Sequence, residues 1–156
     1  MPDFELAHLN VATLREPLQS PAMADFTAQL DRINALADAS AGFVWRWEED
    51  REPVQPNPLG ELTLINISVW RDLAALRTFV YRTAHAQVMA RRQEWFERMS
   101  QPFVALWWVA RGARPTVAEA LAKLGTLRES GPTPAVFTFA QPHPPPVGRP
   151  VSPWIP

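Results

Sequence analysis

Tyr81, His85, Val88, Arg92 and Trp95 succeed one another at steps of four, three, four and three residues, the spacing that sets side chains along one stripe of a helix. That stripe carries a phenol, an imidazole and a guanidinium between apolar groups. An imidazole moves protons near neutrality, and a guanidinium or an amide steadies the oxyanion that proton removal leaves behind. Two amides stand in strand-like runs: Asn10 alternates with His8, and Asn66 alternates with Ser68 and Trp70. A buried amide without a partner costs roughly 1 to 3 kcal/mol, so Asn10 and Asn66 either bond each other or face a pocket. Each residue alone has a plain structural reading: a satisfied strand Asn, a core-edge His, a solvated Arg91, Arg92, Glu94 and Glu97 face. The combination is what points to a pocket.

The elements that must hold these groups follow from pattern. Phe4 to Thr13 alternates with a strand period, Leu6, His8, Asn10 and Ala12 on one side and Ala7, Leu9 and Val11 on the other. Ser20-Pro21 opens a helix that runs to Gly42. Phe43 to Trp47 reads as a second strand before a loop broken by Pro53, Pro56 and Pro58, and Glu61 to Trp70 as a central third strand. Asp72 to Met99 holds neither Gly nor Pro and predicts one long helix, with a bend near Arg82-Thr83. Pro102 to Ala110 is a fourth strand, Pro115 to Gly131 a further helix, and Val136 to Phe139 a short fifth strand. The order is α+β, the split βαβ of ferredoxin-like folds (β-α-β-β-α-β) with an extra helix and a short strand. Residues 1–140 form the domain and residues 141–156 a proline-rich tail, in which Trp154 is expected to pack on the domain or across a dimer. Helices on one face alone leave Leu9, Val11, Ile65 and Ile67 in need of a cover, for which a second subunit, hence a homodimer, is expected.

Composition removes whole classes of chemistry. With 156 residues, 15 Lys plus Arg against 16 Asp plus Glu, and a net charge of -1, no general basic field attracts a phosphate backbone, so no nucleic-acid partner is expected. No cysteine is present, which excludes disulfides, thiolate nucleophiles and Cys-held metals. The three His show no metal-ligand spacing, and no protein-ligated metal is expected. Neither a P-loop nor a dinucleotide fingerprint occurs. No run reaches 18 apolar residues and no leader pattern opens the chain, which reads as a cytoplasmic protein with no membrane partner.

The stretch Asn66 to Phe96, with Leu9-Asn-Val-Ala upstream and Phe103-Val-Ala-Leu-Trp-Trp-Val downstream, resembles a bacterial family catalogued as domain of unknown function 3291. That family is similar in turn to the antibiotic-biosynthesis monooxygenase superfamily of dimeric α+β barrels. The resemblance implies a pocket between sheet and helices and a chemistry among cofactor-free monooxygenases, cyclases, isomerases and haem-degrading enzymes. In the haem-degrading branch Asn10, Trp70 and His85 would match an Asn, a Trp and the haem-ligating His, although Trp70 to His85 is longer here.

The reading is a small-molecule enzyme for an aromatic or polyketide-like substrate, needing no cofactor. His85 would be the base, with Asn66, Tyr81 and Arg92 as further catalytic groups. Asn10, Trp45, Trp70, Trp95 and Trp107 would bind substrate on flat apolar walls. Two alternatives stand beside it: a haem-binding or haem-degrading protein with His85 as ligand, and a non-catalytic ligand- or partner-binding module docking through its tail.

Overall fold

The structure is a computed structural model, and it describes residues 3–48, 59–60 and 62–146. In chain order the elements are β1 (Phe4–Thr13), a 3-10 turn (Pro21–Met23), α1 (Ala24–Asp38), β2 (Phe43–Arg46), β3 (Thr63–Trp70), α2 (Leu73–Arg82), α3 (His85–Ala90), α4 (Arg92–Trp95), β4 (Val104–Ala110) and α5 (Val117–Ser130). The strands form one sheet in the order β2-β3-β1-β4, every neighbouring pair antiparallel. This is the ferredoxin-like split βαβ: β3 lies between β1 and β2, and β1 between β3 and β4. The fold is α+β.

Register decides which residues share a face. His8 pairs with Ser68 and Leu106, Asn10 with Asn66 and Val104, and Leu6 with Trp70 and Trp108. Cross-strand partners point the same way, so these residues form parallel rows on one face. At its Leu6 end that face is closed by Ala75, Leu76, Phe79 and Val80 of α2, which bury Leu6, Trp70, Leu106 and Phe137. Asp72 caps α2 by accepting from Ala75 N–H at 2.8 Å. Gly42, at φ 83°, carries the chain past α2 where a Cβ would stand 2.5 Å from Ala75 Cβ, so a side chain is excluded there on both counts.

The second face differs from the sequence expectation. Val117, Ala120, Leu124 and Leu127 of α5 pack on Ala7, Leu9, Val11, Ile67, Ala105 and Trp107, and Leu9, Val11 and Ile67 are buried within the single chain. The helix after β4 returns beneath the sheet instead of joining the other helices. It supplies the cover that a second subunit was expected to give. Thr116 accepts from Glu119 N–H at 3.1 Å and fixes where α5 starts.

The single helix expected over Asp72 to Met99 is three. Thr83 is extended, its hydroxyl donates to the Phe79 carbonyl, and its Oγ1 accepts from His85 N–H at 3.2 Å. One side chain therefore ends α2 and starts α3. The fifth strand is reduced to isolated bridges, Leu106 to Phe137 and Thr133 to Val136. Of the tail, Trp108 Nε1–H donates to the His143 carbonyl at 2.9 Å, while Trp154 lies outside the described residues.

Candidate functional site

Between the His8–Asn10 face and helices α1 to α3 lies a cavity of about 560 Å³. One end is an aromatic stack: Trp70 and Phe79 lie 5.1 Å apart at 24°, and the His85 ring is 4.9 Å from Phe79. At the other end the Arg92 guanidinium carbon sits 4.3 Å over the Phe103 ring. Phe139, from the segment after α5, closes a side between His8 and Tyr81, 6.3 Å from the first ring and 5.7 Å from the second. Tyr81 is 55% exposed, so its phenol stands at the rim.

Hydrogen bonding fixes the tautomer of His85 and sets His8 against the Ser68 hydroxyl. Trp70 Nε1–H donates to Ser68 Oγ at 3.0 Å, and Ser68 Oγ lies 3.2 Å from His8 Nδ1. An indole nitrogen only donates, whereas the Ser68 hydroxyl, with one proton and two lone pairs, meets His8 Nδ1 either as donor or as acceptor, so this contact fits both tautomers of His8. With Ser68 as the donor, His8 carries its proton on Nε2. His85 Nδ1 faces the Val80 carbonyl at 3.4 Å; a carbonyl only accepts, so Nδ1 carries the proton and Nε2 the free lone pair. In that arrangement one imidazole offers an N–H and the other a lone pair.

Both rings are held neutral. Burial, aided by the nearby His85, pushes the His8 pKa down to about 3. Burial likewise lowers His85, opposed by its bond to the Val80 carbonyl. Asn10 and Asn66 face each other across β1 and β3 and line the cavity, yet among the described residues neither side-chain amide makes a hydrogen bond to the protein. Asn10 is half-buried and Asn66 exposed, so neither is the buried, partnerless amide of the sequence reading; both open onto the cavity.

Asn10, Asn66, Trp70, Tyr81, His85 and Arg92 thus line one cavity. Three tryptophans expected there do not. Trp107 is buried on the opposite face under α5, because β4 places Val104 and Leu106 toward the cavity and Trp107 away from it. Trp45 packs on that same face, with Arg114 5.7 Å from its ring. Trp95 is buried in a separate cluster with Leu14, Met23 and Phe26, since the helix breaks rotate it off the stripe that carries His85. His8 and Ser68 join the site although sequence spacing singled out neither as functional. Their signal was the shared alternation with Asn10 and Asn66; what was missing was the register that makes them partners. Among the described residues no three His, Asp or Glu converge as a metal site, and no helix is long and apolar enough to cross a membrane.

Residues 5–152 match the family described as Domain of unknown function (DUF3291). No curated protein matches the chain. Among solved structures it is similar to NE2512, a protein of unknown function from Nitrosomonas europaea, at 21% identity over 73% of this chain and 95% of that one, with a TM-score of 0.46. It is also similar to SnoaB, a cofactor-independent oxygenase from Streptomyces nogalater, at 18% identity over 74% and 98% of the two chains, TM-score 0.47. Rv0793 from Mycobacterium tuberculosis is 18% identical over 72% and 99%, TM-score 0.47.

Proposed function

The chain belongs to the DUF3291 family, and we propose that its cavity is the active site of a small-molecule enzyme acting on an aromatic or polyketide-like substrate without a cofactor. The observation that carries this reading is the placing of two neutral imidazoles, His8 against the Ser68 hydroxyl and His85 with Nδ1 on the Val80 carbonyl, on an otherwise largely apolar wall; in this reading His8 presents Nε2–H and His85 a free Nε2. Apolar cavities with a few directed polar groups bind flat organic molecules.

In this mechanism His85 Nε2 takes a proton from a phenolic O–H or an acidic C–H. The electron pair left behind settles on the substrate oxygen, where His8 Nε2–H and the Asn66 amide donate to it. The desolvation that keeps His85 unprotonated also makes it a weak base, so oxyanion donation has to supply part of the driving force. The anion then adds to dioxygen in an oxygenation, attacks a carbonyl in a cyclisation, or is reprotonated at another carbon in an isomerisation. Tyr81, at the rim, closes over the substrate with Phe139. Turnover of a panel of phenols, quinols and 1,3-dicarbonyl aromatics under dioxygen, lost in His85→Ala, is the test; a panel left unchanged by the wild-type protein counts against catalysis and for a binding module.

A second reading, haem ligation by His85, is favoured by one observation: its Nδ1–H is oriented by a backbone carbonyl, as it is in most metal-ligating imidazoles. Haem would supply redox chemistry at its iron, with His85 Nε2 as the group to hold it and Arg92 as a cation for its carboxylates. A Soret band on haem titration, absent in His85→Ala, distinguishes this reading from the first.

The proposal includes a homodimer. Its support is the half-buried apolar margin left around α5, Trp45, Ile65 and Leu121, rather than an open sheet face.

A further inference from the structure

We infer that the cavity selects an aromatic anion, a flat apolar body bearing one carboxylate, which Arg92 binds at the end remote from His85. The inference rests on the reading of this cavity as a small-molecule site and names its ligand more closely. Arg92 and Arg91 are neighbours with opposite fates. Arg91 takes the nearby carboxylates, Asp25 at 3.2 Å and Glu94 at 2.7 Å. The Arg92 side chain, partly buried, makes no hydrogen bond or ion pair among the described residues and sits over the Phe103 ring. A guanidinium held over a ring face with its N–H groups unpaired can receive a carboxylate with two parallel bonds.

The rest of the wall supplies no counter-charge. No Asp or Glu among the described residues lines the cavity. Its other guanidinium, Arg46, is already met by Asp38 at 3.0 Å and Glu48 at 3.6 Å. One uncompensated positive charge therefore faces largely apolar surroundings, where an anion gains most from pairing with it.

Placement agrees with charge. Phe103 precedes Val104, the register partner of Asn10, and its carbonyl accepts from Val11 N–H at 2.9 Å. The unbonded Asn10 amide is thus in the strand row beside Arg92, able to donate to the same carboxylate. The His8 row is two residues further along β1, about 7 Å away, a span that a bicyclic ring covers. A carboxylate held at Arg92 would set the far edge of such a ring against His8 and His85.

The test measures the dissociation constants of 2-naphthoate and its neutral isostere 2-naphthamide by isothermal titration, on the wild-type protein, Arg92→Gln and Arg92→Lys. Wild type should bind the acid at least tenfold more tightly than the amide, with a preference that shrinks as salt rises. Arg92→Gln should abolish that preference by weakening the acid alone, and Arg92→Lys should keep part of it. Equal binding of both probes by the wild type, a comparison that needs no variant, overturns the anion inference and leaves the aromatic cavity standing. A preference that survives in Arg92→Gln also overturns it. Failure of both probes to bind removes the inference together with the reading beneath it.

Discussion

Ser68 Oγ lies 3.2 Å from His8 Nδ1 across the β1–β3 pair, and this contact sets the chemistry of the cavity floor. Because Ser68 also accepts from Trp70 Nε1–H at 3.0 Å, indole, hydroxyl and imidazole form one chain of contacts across the sheet. Ser68→Ala leaves both nitrogens unpaired. It is expected to destabilise the fold by about 1 to 3 kcal/mol, measured by urea unfolding at pH 7; no change would mean that the chain of bonds does not order the site.

The buried histidines tie stability to pH. His8, lowered from 6.5 to about 3, binds a proton more readily unfolded than folded, so between these values the unfolded state holds the extra proton and stability rises with pH. Its contribution is complete above pH 6.5 and is lost as pH falls toward 3, at no more than about 1.4 kcal/mol per pH unit. Urea midpoints for wild type should fall from pH 6.5 to 5, and His8→Asn should flatten that slope.

His85 is expected to be dispensable for folding and needed for turnover. His85→Ala should retain the wild-type melting transition within a few degrees while reducing kcat/KM by about 10² to 10⁴. In the wild type the acid limb of kcat/KM should fall below pH 6.5, because burial lowers the imidazole pKa and only the neutral ring accepts a proton. An acid limb centred above 6.5 would contradict the buried-base assignment.

Tryptophan substitutions separate wall from core. Trp107→Ala, beneath α5, should cost about 3 to 5 kcal/mol of stability with 2-naphthoate affinity of the folded protein unchanged. Trp70→Leu should weaken that affinity, since Trp70 forms the cavity end with Phe79. Equal effects of both changes on binding would show that the two faces of the sheet are not independent.

How much of this was legible in the sequence follows from what each signal encodes. Period-two alternation placed His8, Asn10, Asn66, Ser68 and Trp70 correctly on shared faces, because a strand leaves a side chain only two choices. Alternation does not carry register, so the His8–Ser68 bond could not be read from it. The stripe Tyr81, His85 and Arg92 reached one cavity although the helix beneath it is interrupted. A bend near Arg82-Thr83 was legible, but not that the helix ends there, because Thr83, not Gly or Pro, makes the break. Trp95 fell off the stripe for the same reason. The side taken by α5 was invisible too: its apolar spacing says that it buries a face, not which face of the sheet receives it.

Assembly has a direct check. Sedimentation velocity at micromolar concentration should show a dimer, with Ile65→Asp shifting it to monomer through the apolar margin near Trp45 and Leu121. A wild-type monomer across that range would remove the homodimer from the proposal.

The chain has three histidines, and two of them, His8 and His85, line the cavity while His143 lies outside it. Nitrogen-15 imidazole spectra recorded during titration with 1-hydroxy-2-naphthoate therefore test the site itself. The expected result is saturable movement of the His8 and His85 signals, starting from an Nε2–H tautomer for His8 and an Nδ1–H tautomer for His85, with His143 unmoved. Signals of His8 and His85 that stay fixed through the titration would contradict the assignment of this cavity as the active site.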